Sequence, residues 1–144
     1  MPIHPQLLQD CFHLGRLPTC DVLLHRNALI PWFILVPETE QTDLLELPMD
    51  HRNAAMQEAA LAGELMKKHF GVPKLNFAAI GNVVPQLHLH VVGRRPEDQC
   101  WPKPVWGNLT QQADYLDSEV REIISALQKA ATESGLQFQS KGRS

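Results

Sequence analysis

Gln86-Leu87-His88-Leu89-His90-Val91-Val92 alternates polar and apolar side chains over its first six positions. Successive side chains on a strand point to opposite faces, so Gln86, His88 and His90 share one face and Leu87, Leu89 and Val91 the other. The apolar face belongs to a core. The polar face carries an amide and two imidazoles in a row, spaced about 7 Å along the strand.

Working outward, Gly81-Asn82-Val83-Val84-Pro85 joins this strand to a preceding one over Leu75 to Ile80. Before that, Asp50 is an N-cap candidate for a helix running to about Phe70. Ala55, Ala59, Ala62 and Met66 recur at spacings of four, three and four along it, with Leu61 and Leu65 beside them. Lys67 and Lys68 suit its last turn, Gly71 its C′ position, and Pro73 blocks continuation. Trp32 to Val36, bracketed by Pro31 and Pro37, is a continuous β-favouring run that reads as a strand covered on both faces. Phe12 to Leu17 and Cys20 to His25 read as a hairpin, with Pro5 to Asp10 as a short helix before them. A polar, proline-containing segment runs from Arg94 to Asn108. Beyond it Leu116, Val120, Ile123, Leu127 and Ala130 keep a helical period, predicting a C-terminal helix over about 110–134 and a frayed tail over 136–144. The expected fold is α+β: a mainly antiparallel five-stranded sheet with one long central helix and a C-terminal helix. The chain reads as one domain over 1–144, with its core in 12–106.

Composition sets the class of function. At 144 residues the chain is long enough for one apolar core and too short for two domains. A net charge of -3 argues against coating a nucleic-acid polymer. The longest apolar stretch, Leu29 to Val36, contains Pro31 and is far short of a membrane span. The first basic residue is Arg16, so no secretory signal is read. Cys11, Cys20 and Cys100 form no CxxC pair and fit reduced thiols in a cytoplasmic protein.

Three chemistries are compatible with the two histidines. They can be solvated on a polar strand face. They can chelate zinc or iron with His25 or a carboxylate as third ligand, although no suitably spaced acidic residue completes a facial triad. They can also catalyse: a neutral imidazole is a competent nucleophile toward phosphorus, and a neighbouring histidine tunes it and binds phosphate. His4, His13, His51 and His69 read as surface or structural groups, with His13 near Arg16 the one to watch. Arg94 and Arg95 read as a solvated strand end within possible reach of phosphate. No GxxxxGK, GxGxxG or GxSxG is present.

Gln86 to Val92 resembles the histidine triad (HIT) motif, His-φ-His-φ-His-φ-φ, with glutamine at the first histidine. Gly81-Asn82-Val83-Val84-Pro85-Gln86 is similar to the family's approach to that motif. Leu23-Leu24-His25-Arg26-Asn27, Pro31 and the strand ending Leu35-Val36-Pro37 resemble its nucleoside-holding segment. Trp101-Pro102 is similar to a pair that some members place near the partner's active site.

The resemblance implies a nucleotide hydrolase or transferase with no cofactor and no bound metal, working as a homodimer. His88 would be the nucleophile toward an α-phosphate, and His90 would bind the phosphate. Gln86 would stand in for the first histidine. His25, Asn27 and Asn82 would contact the nucleotide. Nucleoside phosphoramidates and dinucleoside polyphosphates are the implied substrates. Gln86 cannot titrate but can still hydrogen-bond, and Trp32-Phe33 stands where the family usually has a Gly/Thr-His pair. The loop between the last two strands is also shorter than in many members. A catalytically weak nucleotide-binding module is the alternative these departures favour, and a metal-dependent enzyme is the third reading.

Overall fold

The computed structural model describes residues 1–141, and prolines and glycines divide them much as the sequence implies. Helix α1 (Pro5–Asp10) leads into β1 (Cys11–Arg16), β2 (Cys20–His25) and β3 (Trp32–Pro37). Helix α2 (Met49–Phe70) follows, then β4 (Lys74–Ala78), β5 (Leu89–Arg94), helix α3 (Asp117–Glu133) and a short β6 (Gln139–Ser140). The sheet has six strands in the order β4-β5-β3-β2-β1-β6, every pairing antiparallel.

β3 is buried along its whole length, as a strand covered on both faces must be. Phe33 and Leu35 join β5 residues Leu89 and Val91 in the layer shared with α2 and α3. Trp32, Ile34 and Val36 join Cys11, Leu23, Val92, Val84 and Val105 in a second cluster on the opposite face. That second face also carries His25 and His90, since both lie in register with it: His90 opposes Ile34 and Val92 opposes Trp32. The sheet therefore has a helical side and a chemical side.

α2 ends as expected, at Gly71 with φ 66° and its N–H bonded to the Lys67 carbonyl. On its buried face sits Glu58, 2% exposed. Its carboxylate accepts from the N–H groups of Thr19 (2.9 Å) and Cys20 (2.8 Å), which close the β1–β2 turn. A buried carboxylate is tolerated there because backbone donors replace its water.

Asp50 does not cap α2: the helix begins at Met49 with Pro48 at its N-cap, and Asp50 lies in the first turn. Three further expectations change. The sheet gains a sixth strand, because the tail expected to fray folds back: Phe138 is buried and Gln139–Ser140 pairs with Gly15 and Arg16. Glycine permits that approach, since a Cβ at residue 15 would overlap the Gln139 carbonyl and the Phe138 ring. The rest of the expected tail, 142–144, lies outside the described residues. The last helix begins at Asp117 and not near 110. Residues 111 and 113 spend their backbone groups on Asn27 and Ala28 instead: Asn27 Nδ2 donates to the Gln111 carbonyl, the Ala113 N–H to Asn27 Oδ1, and the Ala28 N–H to the Ala113 carbonyl. The third change is that β5 starts at Leu89, leaving Gln86, Leu87 and His88 in the segment that leads into it.

Candidate functional site

The chemical side of the sheet opens into a cleft of about 470 Å³, within the range of small-molecule sites. Its floor is His25, Trp32, Ile34 and His90. The segment Ile80 to Val84 with His88 forms one wall, α1 residues Gln6, Leu7 and Asp10 another, and Trp106 closes the end.

Hydrogen bonds assign the protons. His88 Nδ1 lies 2.7 Å from the Gln86 carbonyl oxygen. A carbonyl can only accept, so Nδ1 carries the hydrogen and Nε2 presents a free lone pair. Trp32 Nε1–H lies 3.1 Å from His90 Nδ1. An indole N–H can only donate, so His90 Nδ1 accepts and the His90 hydrogen sits on Nε2. The two imidazoles meet edge to face with centroids 4.8 Å apart. A ring that presents an Nε2 lone pair and a ring that presents an Nε2–H thus lie next to each other.

Burial sets the charge of the floor. His90 is 6% exposed. Its removal from water, with His88 and His25 beside it, pushes its pKa down to about 4. Burial also lowers that of His25, partly opposed by the Asp10 carboxylate. Trp32 stacks flat on His25, at 4.2 Å and 8°, and meets Trp106 at a right angle. The Trp106 Nε1–H is buried in this wall and has no protein acceptor among the described residues.

A pH dependence follows. A histidine whose folded pKa is depressed binds its proton more readily when unfolded, so folding weakens as pH falls below the unfolded value of about 6.5. The loss continues until the folded value near 4. His90 alone is expected to cost about 2 kcal/mol by pH 5. Urea unfolding at pH 7.5 and pH 5 measures the loss, and a His90→Asn variant, which cannot titrate, should lose less between the two.

The expected residues divide. His25, Asn82, His88 and His90 all line the cleft. Asn27 does not: it is buried and its amide is spent on the backbone of Leu29, Gln111 and Ala113. Gln86 is displaced from the shared strand face. Its side chain turns to the N-terminal arm, accepting from the His4 N–H (2.7 Å) and donating to the Pro2 carbonyl (3.1 Å), while only its main chain serves His88. His4 caps α1, accepting from the Gln6 N–H, and His13 pairs with Asp21 at 3.0 Å.

Arg94 overturns the solvated-end reading. It is 1% exposed and forks onto Asp98 at 2.7 and 3.1 Å. Arg95 donates to the Phe70 carbonyl. Among the described residues no three or more His, Cys, Asp or Glu side chains come together in a way that could hold a metal ion.

Three further cleft residues, Trp32, Trp106 and Asp10, carry no sequence signal that marks them as such. Trp32 was visible only as a departure from a motif. Trp106 lies on an irregular segment where periodicity carries no signal.

The HIT domain model matches residues 7–97. Among solved structures, a histidine triad protein from Bradyrhizobium japonicum superposes with a TM-score of 0.83 at 36% identity, covering 90% of this chain and 96% of that one. A histidine triad protein from Marinobacter aquaeolei VT8 gives 0.83 and 36%, with 92% and 96% covered. One from Sinorhizobium meliloti 1021 gives 0.83 and 32%, with 90% and 96% covered. No curated protein matches. No described helix is long and apolar enough to cross a membrane.

Proposed function

This chain belongs to the HIT domain family, and from that membership we propose that it is a nucleotidyl hydrolase or transferase working through a covalent intermediate on His88. The observation that carries this reading is the pairing of a free Nε2 on His88 with an Nε2–H on His90 in one cleft. In the proposed reaction the His88 Nε2 lone pair forms a bond to the α-phosphorus as the bond to the leaving group breaks; the leaving group keeps that pair and, where it is an amine, takes a proton from water so that it departs neutral. The positive charge left on His88 is stabilised by its Nδ1–H bond to the Gln86 carbonyl, and the His90 Nε2–H meets the phosphate oxygen. Water or an acceptor then attacks the phosphorus and releases His88. Gln86 makes this a variant triad, whose first residue contributes a backbone acceptor and no titrating group.

The nucleoside would lie along the His25–Trp32 stack, with Asn82 at the rim. Among the described residues the cleft is lined by no Lys or Arg, and its one carboxylate is Asp10. Substrates with a single phosphate charge, such as nucleoside phosphoramidates, suit it better than dinucleoside polyphosphates. Incubation with both classes, with and without chelator, tests the reading. Chelator-indifferent turnover and a nucleotidyl-protein adduct by mass spectrometry are expected; binding without turnover would favour the catalytically weak module.

We further propose a homodimer built on β4. Among the described residues this strand lies at the edge of the sheet, and Phe77 (43% exposed) and Met56 (40%) share an apolar groove beside it. Such a surface at an open edge marks an interface. Light scattering should give twice the chain mass, and Phe77→Lys should give the monomer. Trp101 is exposed and lies over Arg94, available for the cross-subunit role that the resemblance implies. The three free, buried cysteines suit a reducing compartment such as the cytoplasm.

A further inference from the structure

We propose that Trp32 is a positioning residue for the reaction: its indole N–H holds His90 in the Nε2–H form, so that His90 offers the substrate phosphate a hydrogen bond and not a proton. This inference rests on the nucleotidyl-transfer reading of the cleft.

The geometry is specific. Trp32 opens β3 directly after Pro31 and is 7% exposed, its ring pressed flat on His25 and edged by Trp106. With the ring clamped on both sides, its N–H has one direction to point, and His90 Nδ1 lies there at 3.1 Å. A tautomer switch on His90 would set two N–H groups against each other. Protonation at Nδ1 would also forfeit the indole bond and place a cation in the floor. Among the described residues the groups facing that floor are His88 ahead of β5, His25 on β2 and Trp106 from the loop, with Asp10 on α1 the one carboxylate lining the cleft and acting on His25. None of the groups in contact with the His90 ring is an anion that could compensate. Indole suits the task because it donates only and does not titrate near neutrality, whereas a histidine at residue 32 could accept or donate. An amine leaving group in the proposed reaction therefore takes its proton from water and not from His90.

The test is nitrogen NMR on the full-length protein labelled at histidine and tryptophan. In the wild type, His90 should show separated imidazole shifts with the hydrogen on Nε2, and a coupling across the hydrogen bond to the Trp32 indole nitrogen. Trp32→Phe keeps a planar apolar ring and removes the donor. It should bring the two His90 shifts together and lower kcat on a nucleoside phosphoramidate by about 10- to 100-fold, the scale of weakening one preorganised donor, with KM changed much less. Trp32→His, which regains an N–H, should recover part of kcat. Absence of the coupling in the wild type overturns the proposal even if the variants do not fold. So does an unchanged His90 tautomer, or an unchanged kcat, in a folded Trp32→Phe. A wild type that shows the coupling but turns over no nucleotide would refute the reading of the cleft and leave the Trp32–His90 arrangement standing.

Discussion

Replacement of His88 by alanine is expected to lower turnover of a nucleoside phosphoramidate by at least about 10⁴-fold, the scale on which enzymes lose rate when a nucleophile is removed. His88 is the cleft imidazole whose Nε2 is left free by its other bond, since Nδ1 is committed to the Gln86 carbonyl. His90 cannot substitute, because its Nε2 carries the hydrogen and its Nδ1 lies under Trp32. His25 cannot substitute either: its Nδ1 accepts from the Asn27 N–H at 3.2 Å, so in the neutral ring the hydrogen sits on Nε2, and its face is stacked against the indole. The variant should still fold, since the ring lines a cleft and its loss enlarges a space already open to solvent. Initial rates at saturating substrate measure the effect, and the nucleotidyl-protein adduct should disappear with it. Turnover within tenfold of the wild type would sink the assignment of His88 as nucleophile.

The largest effect on stability is expected from Asp98→Ala. Asp98 receives the Arg94 fork and also the N–H groups of Arg95, Cys100 and Trp101. Burial raises its pKa, but the bonds from Arg94 and the Arg95 and Trp101 amides outweigh that and hold it below the usual carboxylate value. Arg94 also reaches Asn76 on β4, so the pair ties the loop after β5 to the sheet. Alanine would strand a guanidinium in the interior together with unpaired backbone donors. Breaking such a buried pair costs about 3–5 kcal/mol, which in a domain of this size lowers the melting temperature by about 10 °C or more. Calorimetry checks the number. Because the same loop delivers Trp106 to the cleft, its near-ultraviolet dichroism should change well below the melting transition. Asp98→Asn, which keeps an acceptor for the amides, should be milder.

Periodicity reached the parts of this fold that depend on near neighbours in the chain. The stripe from Ala55 to Met66 and the Gly71 stop defined α2, and Pro31 with Pro37 delimited β3. The alternation at Leu89, His90 and Val91 correctly separated the two faces of β5. What escaped depends on partners far away in sequence. The alternation puts Gln86 on the strand face, yet its amide is claimed by Pro2 and His4. Asn27 looked like a ligand contact and proves to be the fastener that keeps 111–113 extended and delays α3. Arg94 at a strand end resembled a solvated charge until Asp98, four residues on, folded back over it. Glu58 sits on an otherwise apolar helix face, and only the incoming β1–β2 turn explains it. The imidazoles of the cleft were legible as a motif, while the indoles that orient and wall them were not, since tryptophan in a buried strand or an irregular loop has the same signature as ordinary core.

Gln86 serves two masters: its side chain grips the N-terminal arm while its carbonyl orients His88. A histidine introduced at 86 to rebuild a full triad would release the arm in the same stroke, so its rate would report two changes and not one. The same linkage bears on handling of the protein. A purification tag or fusion partner joined ahead of Pro2 would pull on the segment that orients His88, and kinetic comparisons are cleaner with any such extension placed elsewhere. Through descent, too, residue 86 and the first few residues of the chain are expected to have changed together.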